Sequence, residues 1–246
     1  MALLLGVLTS VATIAAAAAP IAQVDSVKAA ACPALAQAGQ GQPRVAEDVH
    51  AALAAHGVVV RWDPTDGPIR VWVQPKPSPT MDWNSPPTAW REAVLDAARS
   101  WRGIVPGLEL AAASDSASAD VTVTWVDAHS LAGNPSPGFA SGTAGRTELT
   151  DLGGRATTAR VRLAVTSGDG IPLQVVDVRA VARHEFGHVL GLAHHAAARS
   201  VMAARVQTER LHAGDAAALR LLYALPIGAR CDVPRQVATR TTPAAP

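Results

Sequence analysis

The chain is poor in charge, in aromatic residues and in lysine, and each shortage closes off a class of explanation. Only 17% of its 246 residues are charged, with 21 basic against 20 acidic side chains and a net charge of +1. A protein that tracks a nucleic-acid backbone needs a basic patch or stripe. No such surplus exists, so nucleic acid is excluded as a partner. Lys28 and Lys76 are the only lysines, and the arginines are scattered singly. Aromatics make up 4%, so the core has to be assembled from small aliphatics and six tryptophans. An apolar content of 49% nevertheless argues against intrinsic disorder. The length suits one medium domain with flanking segments.

Charge is missing altogether from Met1 to Ala22, and Ala2 to Ala19 is almost continuous Ala, Leu, Val and Ile. An apolar h-region and small residues at Ala16 to Ala19 fit an export leader, although a basic n-region is absent. An uncleaved membrane anchor and a buried helix are the rival readings. Cysteine is scarce as well. Cys32 and Cys231 bracket nearly everything between them, and neither has a CxxC partner. In an oxidising compartment such a pair would staple the two ends of a domain; otherwise they are two unpaired thiols.

Between Ala29 and Gly57 the chain is rich in Ala, Gln, Gly and Pro and reads as a leader or short pro-segment, with one short helix over Val45 to His56. The β-branched runs Val58 to Trp62 and Ile69 to Val73 predict successive strands. Trp90, Val94, Ala97, Ala98 and Trp101 fall at helical spacing, with Arg91, Glu92, Asp96 and Arg99 on the other face. Asp120 to Val126 and Ala159 to Val165 alternate with period 2, as half-buried strands do. Ser130 to Arg155 is rich in Gly, Ser, Pro and Thr, with only Arg146 to Thr150 reading as extended. A helical pattern follows Pro172 through Leu192, and a last helix is expected from Gly214 to Leu225, with Asp215 favourable to its N-terminal dipole.

The chemistry is concentrated in one stretch. His184-Glu185-Phe186-Gly187-His188-Val189-Leu190-Gly191-Leu192-Ala193-His194 has the pattern HExxHxxGxxH. At this chain's own residue frequencies a chance match is on the order of one in 100,000, so the signal is specific. His184 and His188 are four residues apart, about 40° around a helix axis, so both imidazoles leave one face and can hold one ion. Gly191 frees the backbone to turn and bring His194 to the same ion from another direction. Glu185 sits beside the water that the ion would activate, as a base instead of a fourth ligand. Three neutral imidazoles and an open position suit Zn²⁺. Three buried histidines without a metal would each need a partner of their own. His195 heads elsewhere and is expected at the rim.

With this motif in view, the chain resembles the metzincin metallopeptidases and, within them, the matrixins. Arg199 to Ala204 matches the Met-turn, with Met202 as the residue beneath the metal, and softer likeness extends to Ala119 to Val123, Gly154 to Leu163 and Leu211 to Tyr223. The resemblance implies an α+β, zincin-like metzincin fold. It would have a twisted, mixed five-stranded sheet with three helices, and an active-site cleft beside an antiparallel edge strand near Gly145 to Thr150. Substrate peptide would join that edge by strand addition. The corresponding partition is a leader over 1–31, a short N-terminal segment over 32–57, a zinc peptidase domain over 58–226 and a tail over 227–246.

The resemblance further implies a zinc endopeptidase, with His184, His188 and His194 as metal ligands, Glu185 as general base and protein or peptide as substrate. The chain is expected to be a monomer, secreted or in the cell envelope, touching a membrane only through an N-terminal anchor. A structural calcium would have to draw on Asp151 or Asp169. Alternatives are a zinc aminopeptidase or narrow-specificity processing peptidase, and a non-catalytic, zinc-stabilised envelope protein. The chain departs from the family at Ala204 and Val206, where matrixins often carry Pro and Tyr, and Ala31-Cys32-Pro33 lacks the context of a cysteine switch.

Overall fold

The structure, a computed structural model, describes residues 33–75, 87–131, 144–167, 170–197, 199–205 and 208–230. The expected leader, both cysteines, Asp169 and Val206 lie outside these residues. Among the described residues no helix is long and apolar enough to cross a membrane.

Five strands form one mixed sheet: β1 (Ile69–Val73), β2 (Leu110–Ala112), β3 (Val121–Val126), β4 (Gly145–Leu152) and β5 (Arg155–Ala164), in the order β2-β1-β3-β5-β4. All neighbouring pairs are parallel except β4 with β5, which form an antiparallel hairpin with an irregularity between Thr150 and Asp151. The period-2 pattern is realised in β3, where Val121, Val123 and Trp125 are buried and the residues between them half-buried. In β5 the buried positions are Ala156, Ala159, Val161, Leu163 and Ala164.

Among the described residues six α-helices accompany the sheet: α1 (Pro33–Ala38), α2 (Pro43–His56), α3 (Pro87–Arg99), α4 (Ala128–Leu131), α5 (Val175–Val189) and α6 (Ala213–Ala224). Trp90, Val94, Ala97 and Ala98 form the apolar stripe of α3, and Trp101 just beyond its end donates its indole N–H to the Arg183 carbonyl at 3.0 Å. That bond ties the end of α3 to α5. Asp177 caps α5 by accepting from the Gln174 N–H at 2.9 Å.

Two expectations are corrected. Four helices, α2, α3, α5 and α6, have twelve or more residues, where three were expected. The additional one is α2, whose Val49, Ala52 and Leu53 are buried in the main core. The sequence pointed to a short helix here, over Val45 to His56, but not to the packing of its apolar stripe against α6. Val58 to Trp62 does not form a strand. It makes single bridges, Val58 to Arg230 and Arg61 to Arg155, and bonds from the Val59 N–H to Ala229 and from the Arg61 N–H to Gly154. Val59 and Val60 are buried and Val58 half-buried, but between two turns that offer no continuous ladder, so burial was legible and pairing was not.

Candidate metal centre

The active region begins where α5 ends. His184 and His188 project from one face of α5, with ring centroids 4.7 Å apart. Beyond α5, Gly191 adopts φ +96°, a left-handed conformation, and a Cβ there would collide with the Val60 carbonyl oxygen. Only glycine fits that turn. The Leu192 N–H reaches back to the Gly187 carbonyl at 2.9 Å, and the chain reverses to bring the His194 ring within 5.2 Å of His184 and 4.9 Å of His188. One ligand atom from each of the three histidines can be chosen so that all lie within 4.8 Å of one another. The structure thus brings together the three histidines singled out in the sequence.

Their hydrogen bonds decide which nitrogen faces the centre. His184 Nδ1 lies 2.7 Å from the Val201 carbonyl and His188 Nδ1 lies 2.7 Å from the Leu192 carbonyl. A carbonyl can only accept, so each Nδ1 carries the proton and each Nε2 presents a bare lone pair. The two Nε2 atoms are 3.0 Å apart. Burial pushes the His188 pKa down to about 3, with His184 adding to the shift, and burial lowers His184 likewise. His194 is lowered by burial and then by His195. With both rings neutral, no proton remains to bridge Nε2 to Nε2. Two facing lone pairs at that separation call for a cation, and nitrogen donors with backbone-anchored Nδ1–H groups are the set that zinc prefers. His184 is buried, His188 half-buried and His194 exposed, so the centre opens to solvent on the His194 side.

Glu185 is 3% exposed, with its carboxylate toward β4. Thr147 Oγ1 of β4 donates to Glu185 Oε2 at 2.6 Å. Burial raises the Glu185 pKa to about 7, against the lowering effect of that hydrogen bond. Gly145, on the same face of β4, leaves room for the carboxylate: a Cβ there would sit 2.5 Å from Glu185 Oε1.

Met202 is fully buried beneath α5. A Cβ at Gly187 would collide with the Met202 sulfur, so the Met202 side chain lies directly against the helix backbone. The turn is fastened by Asp215 at the start of α6. Its carboxylate accepts from the Ser200 hydroxyl, from the Val201 N–H at 3.2 Å and from the His212 N–H at 2.9 Å. Burial pushes the Asp215 pKa up, but the bonds from His195, Ser200, His212 and Val201 outweigh it and hold the carboxyl below its ordinary value. Val201, held in this way, is the residue whose carbonyl orients His184.

His195, expected at the rim, is buried. The chain after Gly191 runs beneath the centre, where the His195 N–H donates to the Met202 carbonyl at 2.8 Å. His195 Nδ1 lies 3.0 Å from Ser200 Oγ and 3.3 Å from Asp215 Oδ1. Asp151, one of the two calcium expectations, accepts from the Gly154 N–H at 2.8 Å and so closes the β4–β5 turn. Sequence reasoning missed Thr147, Gly145, Ser200 and the anchoring role of Asp215. Only Asp215 carried a signal, as an acidic residue opening a helix.

A family model described as Matrixin matches residues 78–224, a span that takes in the three histidines, Glu185, Met202 and Asp215. Comparison with the curated proteins finds no match.

Proposed function

The chain belongs to the matrixin family of zinc metallopeptidases, and from that premise we propose that it is an endopeptidase that hydrolyses internal peptide bonds of protein substrates. The observation that carries the proposal is the pair of bare Nε2 atoms of His184 and His188, 3.0 Å apart, with Glu185 between them in sequence and a half-open third position at His194. His184, His188 and His194 would hold the zinc. Bound there, zinc would polarise the scissile carbonyl and acidify the attacking water.

The remaining work falls to the chain itself. Glu185 takes the proton from the attacking water and delivers it to the leaving amine. A carboxyl with a pKa near 7 is suited to both directions of that transfer. The Val201 and Leu192 carbonyls keep the imidazoles oriented, with their Nδ1 protons in place. β4 is the last strand of the sheet among the described residues, and it lies next to Glu185. A substrate added along its free edge would run past the base with chain on both sides of the cleaved bond, which favours internal over terminal cleavage. A purely structural zinc would need no base and would take four protein ligands.

The uncharged, apolar stretch from Met1 to Ala22 supports action outside the cytoplasm, in the envelope or the medium. Glu185→Gln is expected to retain zinc and lose most turnover on an unstructured protein substrate. A Glu185→Gln enzyme of wild-type activity would overturn the assignment of the base. Blocked-terminus peptides should be cut as readily as free ones; cleavage confined to free amino termini would point to an aminopeptidase.

A further inference from the structure

Glu185 stands on a helix, yet both of its carboxylate oxygens are located by the edge strand. Oε2 receives the Thr147 hydroxyl at 2.6 Å, within the range of charge-assisted O–H···O⁻ bonds. The same hydroxyl oxygen lies 3.2 Å from the Glu185 backbone carbonyl, but a hydroxyl has one proton and the carboxylate is the nearer and stronger acceptor. Oε1 lies against Gly145, where any side chain would intrude. These two residues are two apart on one strand and therefore face the same side of it. Thr147 pairs in register with Val161 of β5, which is fully buried, so its backbone cannot drift from the sheet. As a β-branched residue on a strand it has little χ1 freedom. The hydroxyl is thus a fixed donor aimed at a side chain that has three rotatable bonds of its own.

We propose that Thr147 is a positioning residue for catalysis: its hydroxyl anchors Oε2 of Glu185 and leaves Oε1 as the oxygen that exchanges the proton with the water and the leaving amine. This rests on the assignment of Glu185 as the general base. Without the anchor the carboxylate can rotate about its χ angles, and most of its orientations put neither oxygen in position. The strand proposed to receive substrate would then also hold the base, so the substrate backbone and the proton acceptor share one rigid frame.

The test uses the full-length, zinc-loaded enzyme with Thr147→Val, Thr147→Ser, Glu185→Gln and the double variant that combines Thr147→Val with Glu185→Gln. Thr147→Val keeps the shape and removes the donor. It should lower kcat about ten- to hundredfold, the range for losing one hydrogen bond to a charged group, with KM within about twofold and zinc stoichiometry unchanged. Thr147→Ser should recover most of the lost kcat. The double variant should be no slower than Glu185→Gln alone, because the hydroxyl acts only through the carboxylate. A second readout is independent of turnover. The carboxylate stretch of Glu185, isolated in the metal-free protein by infrared difference against Glu185→Gln, should shift in Thr147→Val and return in Thr147→Ser. Wild-type kcat in Thr147→Val, or an equal fold loss with and without Glu185, overturns the proposal. If Thr147→Val does not fold, Thr147→Ala replaces it, and equal kcat in the Ala and Ser variants overturns it too. Full activity in Glu185→Gln instead overturns the underlying assignment of the base, so the two failures are distinguishable.

Discussion

Gly187→Ala is the substitution by which the packing beneath the metal centre is most sharply tested. On an exposed helix the change would stabilise by about 1 kcal/mol, since alanine loses less backbone freedom than glycine. Here the new methyl would collide with the sulfur of Met202, lie 2.9 Å from Met202 Cε and lie 3.1 Å from Trp101 Cζ2. Neither neighbour can yield easily. Met202 and Trp101 are both fully buried, the turn is tied to Asp215, and the Trp101 indole is bonded to the Arg183 carbonyl. Overpacking of such a site costs about 1–3 kcal/mol in ordinary cores, and a clash with two pinned neighbours belongs at or above the top of that range. Net of the helix gain, a loss of at least about 2 kcal/mol is expected, which at about 2–4 °C per kcal/mol lowers Tm by roughly 4–8 °C or more. The displaced turn would also draw the Val201 carbonyl away from His184 Nδ1, weakening zinc binding about 10- to 100-fold. Thermal unfolding and competition with a chromogenic chelator read the two effects. Shortening the obstacle with Met202→Ala in the Gly187→Ala background should give less than additive destabilisation. A Gly187→Ala protein as stable as wild type, with unchanged zinc affinity, would refute the close approach of α5 to the Met202 turn.

Three further outcomes are expected. Because the Asp215 carboxyl is held below its ordinary pKa, its ionised form stabilises the fold fully above about pH 4, the unfolded value, and that contribution is lost as pH falls through the lower folded value. Asp215→Asn should therefore cost about 1.5–3 kcal/mol at pH 7 and flatten the acid limb of urea denaturation of the metal-free protein below about pH 4, whereas an acid limb identical to that of wild type would speak against the Asp215 hydrogen bonds. Leu53→Ala should destabilise by about 2–5 kcal/mol in equilibrium unfolding, since Leu53 is buried between α2 and the rest of the core; a negligible change would mean that the N-terminal helices are a detachable segment. A chelator should abolish cleavage of an unstructured protein and zinc should restore it, with chelator-resistant cleavage indicating a different site.

The parts of this molecule that local pattern controls were legible in the sequence. β3 and β5 show the alternation of a half-buried sheet, and α3 shows its tryptophan stripe. The three histidines could be grouped because helical spacing and one glycine turn suffice to gather them. β2 was not legible, because Leu110, Ala111 and Ala112 are too few to display a period. Val58 to Trp62 has strand composition but makes only single bridges, one of them to the first residue of β5. The supports of the site were hidden for a different reason: Thr147 acts across 38 residues and Asp215 across 15, so nothing near them in sequence announces the contact. His195 was misplaced because adjacency to an exposed ligand says nothing about which way the next side chain turns.

The boundaries of the sheet bear on what counts as the smallest working unit of this protein. The matched span opens at residue 78, and every side chain of the metal centre lies within it. β1, however, ends at Val73 and is the strand that joins β2 to β3. A gene shortened to the matched span would encode all the chemistry and orphan β2 at one side of the sheet. It would also uncover the face of α6 that α2 occupies and remove Val60, whose carbonyl crowds Gly191 where the third ligand turns inward. Such a fragment would be a catalogue of active-site residues without the scaffold that assembles them, and recombinant work on this enzyme should start no later than Pro33.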